Sequence, residues 1–149
     1  MTNTVRMKLV FRLGGIGFAL SVQDLIEIRE DPGGVLDRSR AEAEPMILGR
    51  LMYRGEAIPV IDLGRCLEVP SSTTSPIVLI LAGESGTWGT TADRVEGIFA
   101  ESEFESRPLP ILLRGPSPLP YAGVELWRDE PLVLCEAKRL EDLWGGREL

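Results

Sequence analysis

The stretch Gly49-Arg-Leu-Met-Tyr-Arg-Gly-Glu-Ala-Ile-Pro-Val-Ile-Asp-Leu-Gly-Arg65 decides the reading of this chain. It reads as a strand, a tight turn at Arg54-Gly55-Glu56, and a second strand ending in Asp62. Gly55 supplies a turn geometry that a residue with a Cβ resists. Arg54 is thereby held at the surface with few positions open to it, and Arg is favoured at the energetic centres of protein interfaces. Pro59 cannot donate a ladder hydrogen bond, so the second strand is expected to be an edge or to carry a bulge there. No set of side chains in the stretch suits catalysis or metal binding, so it fits contact with another protein better than chemistry.

Strand signals extend outward on both sides. Val5, Met7, Leu9, Phe11 and Leu13 fall on one face, with Arg6, Lys8 and Arg12 on the other, the pattern of a half-buried strand. Gly14-Gly15 tolerates the positive φ of a primed hairpin turn. Ile16, Phe18, Leu20 and Val22 then alternate with Gly17, Ala19 and Ser21, and Leu25-Ile-Glu-Ile-Arg29 resumes as a short extended run. Ile77 to Ala82 is continuously apolar, as expected of a strand covered on both faces. Gly83-Glu-Ser-Gly86 reads as a hairpin loop, followed by one extended run from Thr87 to Ile98. Val124 to Trp127 and Leu132 to Cys135 make a hairpin about Arg128-Asp-Glu130. Leu140, Leu143 and Trp144 share a helical face at i, i+3 and i+4. Residues 30–45 read as a polar loop, and Pro108 to Pro120 as another that contains Ile111-Leu-Leu113. Pro70 to Pro76, rich in Ser and Thr, reads as a connector near the midpoint of the architecture. Roughly nine short strands with regular turns and one terminal helix predict an all-β barrel or sandwich. The likeness of the hairpins at Gly14-Gly15 and Gly83 to Gly86 predicts two similar β subdomains.

Totals narrow the function. The chain has 149 residues, enough for one domain or two small halves sharing a core, and is 44% hydrophobic. Its 16 basic and 23 acidic side chains give a net charge of −7, which argues against gripping nucleic acid or an anionic membrane surface. No run of apolar residues suits membrane insertion, and no secretory segment is evident, so the cytoplasm is the expected location. There is no histidine, which removes the Ser-His-Asp arrangement and most catalytic zinc sites. Cys66 and Cys135 follow strand-like runs, lack a Cys-x-x-Cys partner, and are expected to be reduced, partly buried thiols. No cofactor or metal site is expected.

The carboxylates suit structure. Asp62, at the end of an apolar strand, is expected to cap backbone N–H groups or pair with a nearby Arg, with partner contact as the alternative. Asp93-Arg94 reads as exposed charges at a strand end. Glu27, between Ile26 and Ile28, is either the outward residue of a half-buried strand or a charge within an apolar contact surface. An acid-dependent hydrolase using Asp62 and Asp93 is the enzymatic alternative. However, Asp62-Leu-Gly and Asp93-Arg-Val lack the hydroxyl that holds two carboxylates against one water in aspartic proteases.

Together, Phe18-Ala-Leu-Ser-Val22, Leu25-Ile-Glu-Ile28 and the block from Gly49 through Arg54-Gly-Glu-x-Ile-Pro-Val-Ile-Asp-Leu63 resemble the CheW family of chemotaxis coupling proteins. Ala92-Asp-Arg-Val95, Phe104-Glu-Ser-Arg-Pro-Leu-Pro110, Leu132-Val-Leu134 and Lys138-Arg-Leu140 follow in the family's order, so the resemblance spans nearly the whole chain. It implies that residues 1–149 form a single CheW-like domain, with two SH3-like five-stranded β-barrels sharing an apolar core and a short C-terminal helix. It implies a non-enzymatic adaptor that couples the cytoplasmic tip of a methyl-accepting chemoreceptor to the regulatory domain of a CheA-type histidine kinase. It places partner contacts at Leu25, Glu27, Gly49 and Arg54, with Ile28 and Tyr53 beside them. On that reading Leu25 supplies apolar area, Arg54 and Glu27 charge complementarity, and Gly49 close backbone approach. The chain departs from the family pattern in the length of the loop from Glu30 to Leu48, in Cys135-Glu-Ala137 and in Pro116 to Pro120. The departures bear on partner identity, and leave open a divergent scaffold serving a signalling array other than motility.

Overall fold

A computed structural model describes residues 6–30, 36–37, 46–69, 77–107 and 121–144. Within these residues the chain forms β1 (Met7–Leu13), β2 (Ile16–Ser21), β3 (Leu25–Arg29), the two-residue β4 (Leu36–Asp37), β5 (Ile47–Tyr53), β6 (Glu56–Ile61) and α1 (Leu63–Leu67). It continues with β7 (Ile77–Gly83), β8 (Gly86–Ala92), β9 (Arg94–Ala100), β10 (Phe104–Arg107), β11 (Tyr121–Trp127), β12 (Glu130–Cys135) and α2 (Ala137–Trp144). The all-β expectation with a short C-terminal helix holds. Each of the two sheets carries six strands rather than five, in the orders β10-β11-β12-β2-β1-β9 and β3-β7-β8-β6-β5-β4. The polar 30–45 stretch contains β4, and its residues 31–35 and 38–45 lie outside the described residues. So do 70–76 and 108–120, where the connector and the proline-rich loop are expected.

The strand orders show an exchange. The chain runs twice through the same series: a hairpin, two strands, a second hairpin and a helix. The opening hairpin of each run joins the sheet built from the other run's last four strands. Thus β1–β2 sits with β9 to β12, and β7–β8 sits with β3 to β6. The joints are parallel: β12 lies beside β2 (Leu134↔Ala19) and β6 beside β8 (Val60↔Gly89). β6 and β7, which flank residues 70–76, belong to the same sheet, so the chain changes sheets elsewhere. It crosses at the 3₁₀ turn Val22–Asp24 and again at Asp93.

Asp93 explains why the single extended run expected over Thr87 to Ile98 is broken. Its N–H donates to the Arg12 carbonyl and its carboxylate accepts from the Gly14 N–H at 2.8 Å, fastening the second crossing to the β1–β2 turn. That turn has φ of +58° at Gly14 and +86° at Gly15, as the glycine pair predicts.

Apolar burial occurs in three places. Leu9, Phe11, Leu13, Phe18 and Leu20 from one sheet meet Ile61, Leu79, Leu81 and Trp88 from the other in the shared core. Val10, Ala19, Trp127 and Leu132 fill one barrel, and Leu51, Tyr53, Ile58, Val60, Val78 and Ile80 fill the other. The half-buried reading of β1 is therefore corrected. Leu9, Phe11 and Leu13 face the shared core, and Lys8 and Val10 face the inside of a barrel rather than water. Lys8 is 8% exposed and survives there because Glu125, 3% exposed, meets its ammonium at 2.5 Å. β7 is covered on both faces, as its continuous apolar run predicts.

Helix α2 closes the seam. Leu140 is buried, and Leu143 and Trp144 are half-buried, with the Trp144 ring 5.6 Å from that of Trp88. Glu141, although charged, is buried, because its carboxylate accepts from the N–H groups of Glu84 and Ser85 in the β7–β8 turn. On the outside of the other barrel, the Arg12 guanidinium grips Glu130 with both arms and reaches Glu96 at 3.0 Å. This ties β1 to β12 and β9.

Ile58→Ala is expected to cost about 2–5 kcal/mol in urea unfolding, since the side chain is 1% exposed; a loss near zero would contradict its place inside the barrel. A second expectation concerns acid. Arg12 holds the Glu96 and Glu130 carboxyls below their ordinary 4.5, with Arg94 adding to the effect on Glu96. Their contribution is therefore complete above pH 4.5 and is lost as pH falls through the lowered values. The stability gap between the native chain and Arg12→Gln should be widest near neutrality and shrink in acid, as thermal melts across pH would show.

Candidate functional site

The β5–β6 hairpin is built around alternation. Gly49, Leu51 and Tyr53 point inward and are buried, whereas Arg50 is half-buried and Met52 exposed on the outer face. Across the hairpin, Leu51 pairs with Ile58 inside, while Met52 pairs with Ala57 and Arg50 with Pro59 outside. β5 carries an irregularity between Ile47 and Gly49. β6 is an interior strand despite Pro59, because its ladder with β8 begins one residue later, at Val60. Proline therefore sits where that neighbour is not yet paired.

The turn fixes Arg54. Its φ is +50°, followed by +80° at Gly55, the left-handed pair of a type I′ hairpin. Its guanidinium lies over the Tyr53 ring, 5.1 Å from the centroid. Tyr53 itself is 6% exposed and packs inside the barrel. Tyr53 thus acts as the floor beneath a cation rather than as a surface group. Gly49 is likewise buried within the ladder.

The remaining expected contact residues lie on β3, at the opposite end of the same sheet's strand order. Leu25 and Ile28 pack against the shared core, and the irregularity between Leu25 and Glu27 puts both on that side. Ile26, at the irregularity, is 42% exposed. Glu27 is bonded to Arg29 at 2.9 Å on the outer face. The structure therefore gathers Gly49, Tyr53 and Arg54 into one hairpin and Leu25, Glu27 and Ile28 into one strand. Sequence reasoning passed over Met52, which at 57% is the most exposed large apolar side chain among the described residues. Its signal was present: it shares the parity of Arg50, opposite to the buried Leu51 and Tyr53.

The other candidates do structural work. Asp62 caps α1, accepting from the Arg65 N–H at 3.3 Å, while the Leu63 N–H donates to Thr91 Oγ1. Asp93 is engaged at the β1–β2 turn, as described above. Both cysteines are free thiols. Burial pushes the Cys66 thiol up to about 11 and Cys135 to about 12, so neither is a ready nucleophile. A cleft of about 580 Å³ opens at the seam beside α2, lined by Lys8, Lys138 and Glu141 among others. Three of its charges are already engaged: Lys8 by Glu125, Lys138 by Glu84, and Glu141 by backbone N–H groups. No group of three or more His, Cys, Asp or Glu side chains able to hold a metal occurs among the described residues.

Comparison with known proteins adds the following. A family model described as CheW-like domain matches residues 8–135. Among solved structures, the scaffolding protein TtCheW from Thermoanaerobacter tengcongensis superimposes with a TM-score of 0.76 at 21% identity, covering 98% of each chain. No curated protein matches the sequence.

Arg54→Ala is expected to leave the melting temperature almost unchanged, since an exposed charge on a tip contributes little to stability. A large loss of stability would show that the arginine serves the fold instead of a surface.

Proposed function

The chain belongs to the CheW family, and on that premise we propose that it is a chemotaxis-type signal-transduction adaptor acting by binding alone. Its partners are the cytoplasmic tip of a methyl-accepting chemoreceptor and the regulatory domain of a CheA-type histidine kinase. It works in the cytoplasm as a scaffold and performs no chemistry. The observation that carries this reading is the family match across 8–135, on a pair of barrels whose exposed hairpin holds an arginine in a set position. The engaged states of Asp62 and Asp93 and the raised thiols agree with it, because those groups are committed to capping and packing. No helix among the described residues is long and apolar enough to cross a membrane.

An adaptor of this kind acts by differential contact. A receptor conformation that binds the scaffold in one geometry biases the kinase held by the same scaffold, and the shift is as large as the difference in binding free energy between states. Leu25, Glu27 and Ile28 on β3 and Gly49, Tyr53 and Arg54 on the hairpin are proposed to make or support these contacts. Leu25, Ile28, Gly49 and Tyr53 act from beneath the surface, by setting the backbone and the arginine.

Titration of the folded protein with a CheA-type regulatory domain and, separately, with a receptor tip from the same organism is expected to give a complex with each. Binding to neither, by protein that melts cooperatively, would remove the proposal. Binding to a receptor-like partner but no such kinase would favour the divergent scaffold.

A further inference from the structure

Because the chain runs twice through one series of elements, positions inside one barrel have counterparts inside the other. Counting back from the closing pairs of the opening hairpins, Leu13↔Ile16 and Gly83↔Gly86, Val10 answers to Ile80 and Lys8 to Val78. Counting from Trp127↔Glu130 and Tyr53↔Glu56, Leu132 answers to Ile58 and Glu125 to Leu51. The parallel joints keep the same count, with Leu134↔Ala19 answering to Val60↔Gly89. Val10 and Ile80, Leu132 and Ile58, and Trp127 and Tyr53 all fill their barrels with apolar or aromatic bulk. One layer differs. Lys8 and Glu125 form a buried ion pair in one barrel, whereas Val78 and Leu51 are fully buried apolar fill in the other.

The fold does not need the charges to fill that layer, since Val78 and Leu51 close its counterpart without them. The pair is also incompletely satisfied. Lys8 Nζ meets Glu125 Oε2 at 2.5 Å and the Ser106 hydroxyl donates to the same oxygen, while Oε1 is buried with no hydrogen-bond partner among the described residues. Replacing such a pair by well-packed apolar residues is often neutral or stabilising. What the pair supplies is identity. The β1–β2 and β7–β8 hairpins are alike, and each must find the sheet of the other run.

Within one copy the wrong pairing is barred. With β1–β2 in the place of β7–β8, strands β2 and β3 would flank β1 in parallel, and the chain between them would have to run back along its length. The three residues Val22–Asp24 reach about 10 Å, against about 23 Å for the seven residues of β1. Between two copies no such bar exists. The β1–β2 hairpin of one copy would lodge beside β3 to β6 of the second, setting Lys8 against Leu51. Likewise β7–β8 would lodge beside β9 to β12, setting Val78 against Glu125.

We infer that the Lys8–Glu125 pair specifies which runs combine: it admits the first run with the second and rejects the exchange of like hairpins with a second copy of this chain. In the mispaired state each charge sits uncompensated inside an apolar barrel, which is far more costly than the native pair. Residues 70–76, which tether the runs, supply proximity alone, and that advantage shrinks as copies crowd. The inference is independent of which proteins the adaptor binds.

The test is refolding of the full chain under reducing conditions at about 1 µM to about 100 µM, where incompletely folded chains associate. Native chain, Lys8→Val, Glu125→Leu and the double variant, which copies the other barrel's residues, are compared by size-exclusion chromatography with light scattering and by thermal melts. Each single variant is expected to melt well below the native chain, and the double variant at or above it. The native chain should refold to monomer throughout. The double variant should give a dimer fraction at least about tenfold higher at the top of the range. That dimer should persist on dilution until unfolded, because each copy's hairpin lies inside the other's sheet. A double variant that melts as low as the singles would assign the pair to stability and overturn the inference. So would a double variant as monomeric as the native chain, dimers that dissociate on dilution, aggregates of open-ended size, or persistent dimers of the native chain itself.

Discussion

Strands β1 and β7 are each buried on both faces, and the rest of the molecule is arranged around that constraint. From Lys8 to Phe11, β1 has no side that meets water. β1 therefore sends Leu9, Phe11 and Leu13 into the core between the sheets and Val10 into a barrel, and its one buried ammonium, Lys8, requires Glu125. Removing either partner of such a pair leaves an uncompensated charge away from solvent, which is far more costly than the pair itself. Because β1 and β7 open the two runs of the chain and each is lodged in the other run's sheet, the shared core cannot form until both runs are present.

The β5–β6 hairpin is a consequence of the same economy of backbone. A type I′ turn asks for positive φ at two positions, and the chain places an arginine at the first. The buried Tyr53 ring lies beneath the guanidinium. What results is a cation whose orientation is fixed by packing. Such a group loses little freedom on binding, and that loss is a main opponent of affinity.

Much of the fold could be read from the chain. The glycine pair at 14–15, the apolar run from Ile77 and the face shared by Leu140, Leu143 and Trp144 each translated into the element they predict. The misreadings have one physical origin. Alternation reports whether a face is polar, but a charged residue with a buried partner more than a hundred positions away looks the same as one in water, as Lys8 and Glu125 do. The break at Asp93 was similarly invisible, because it depends on hydrogen bonds to Arg12 and Gly14 in the first hairpin. At the candidate site, Arg54 was legible because a turn exposes it, whereas the buried support from Tyr53 and the exposed thioether of Met52 needed the inward and outward faces to be told apart.

The exchange of opening hairpins has a mechanical meaning. Two barrels joined end to end by a linker could tilt or separate like beads on a string. Here each barrel contains a piece of the other's run, and the peptide chain passes between them at Val22–Asp24 and at Asp93. Pulling them apart would mean tearing a hairpin out of each sheet, so the two barrels are interlocked. A load placed on one end is delivered to the other without being absorbed by a hinge.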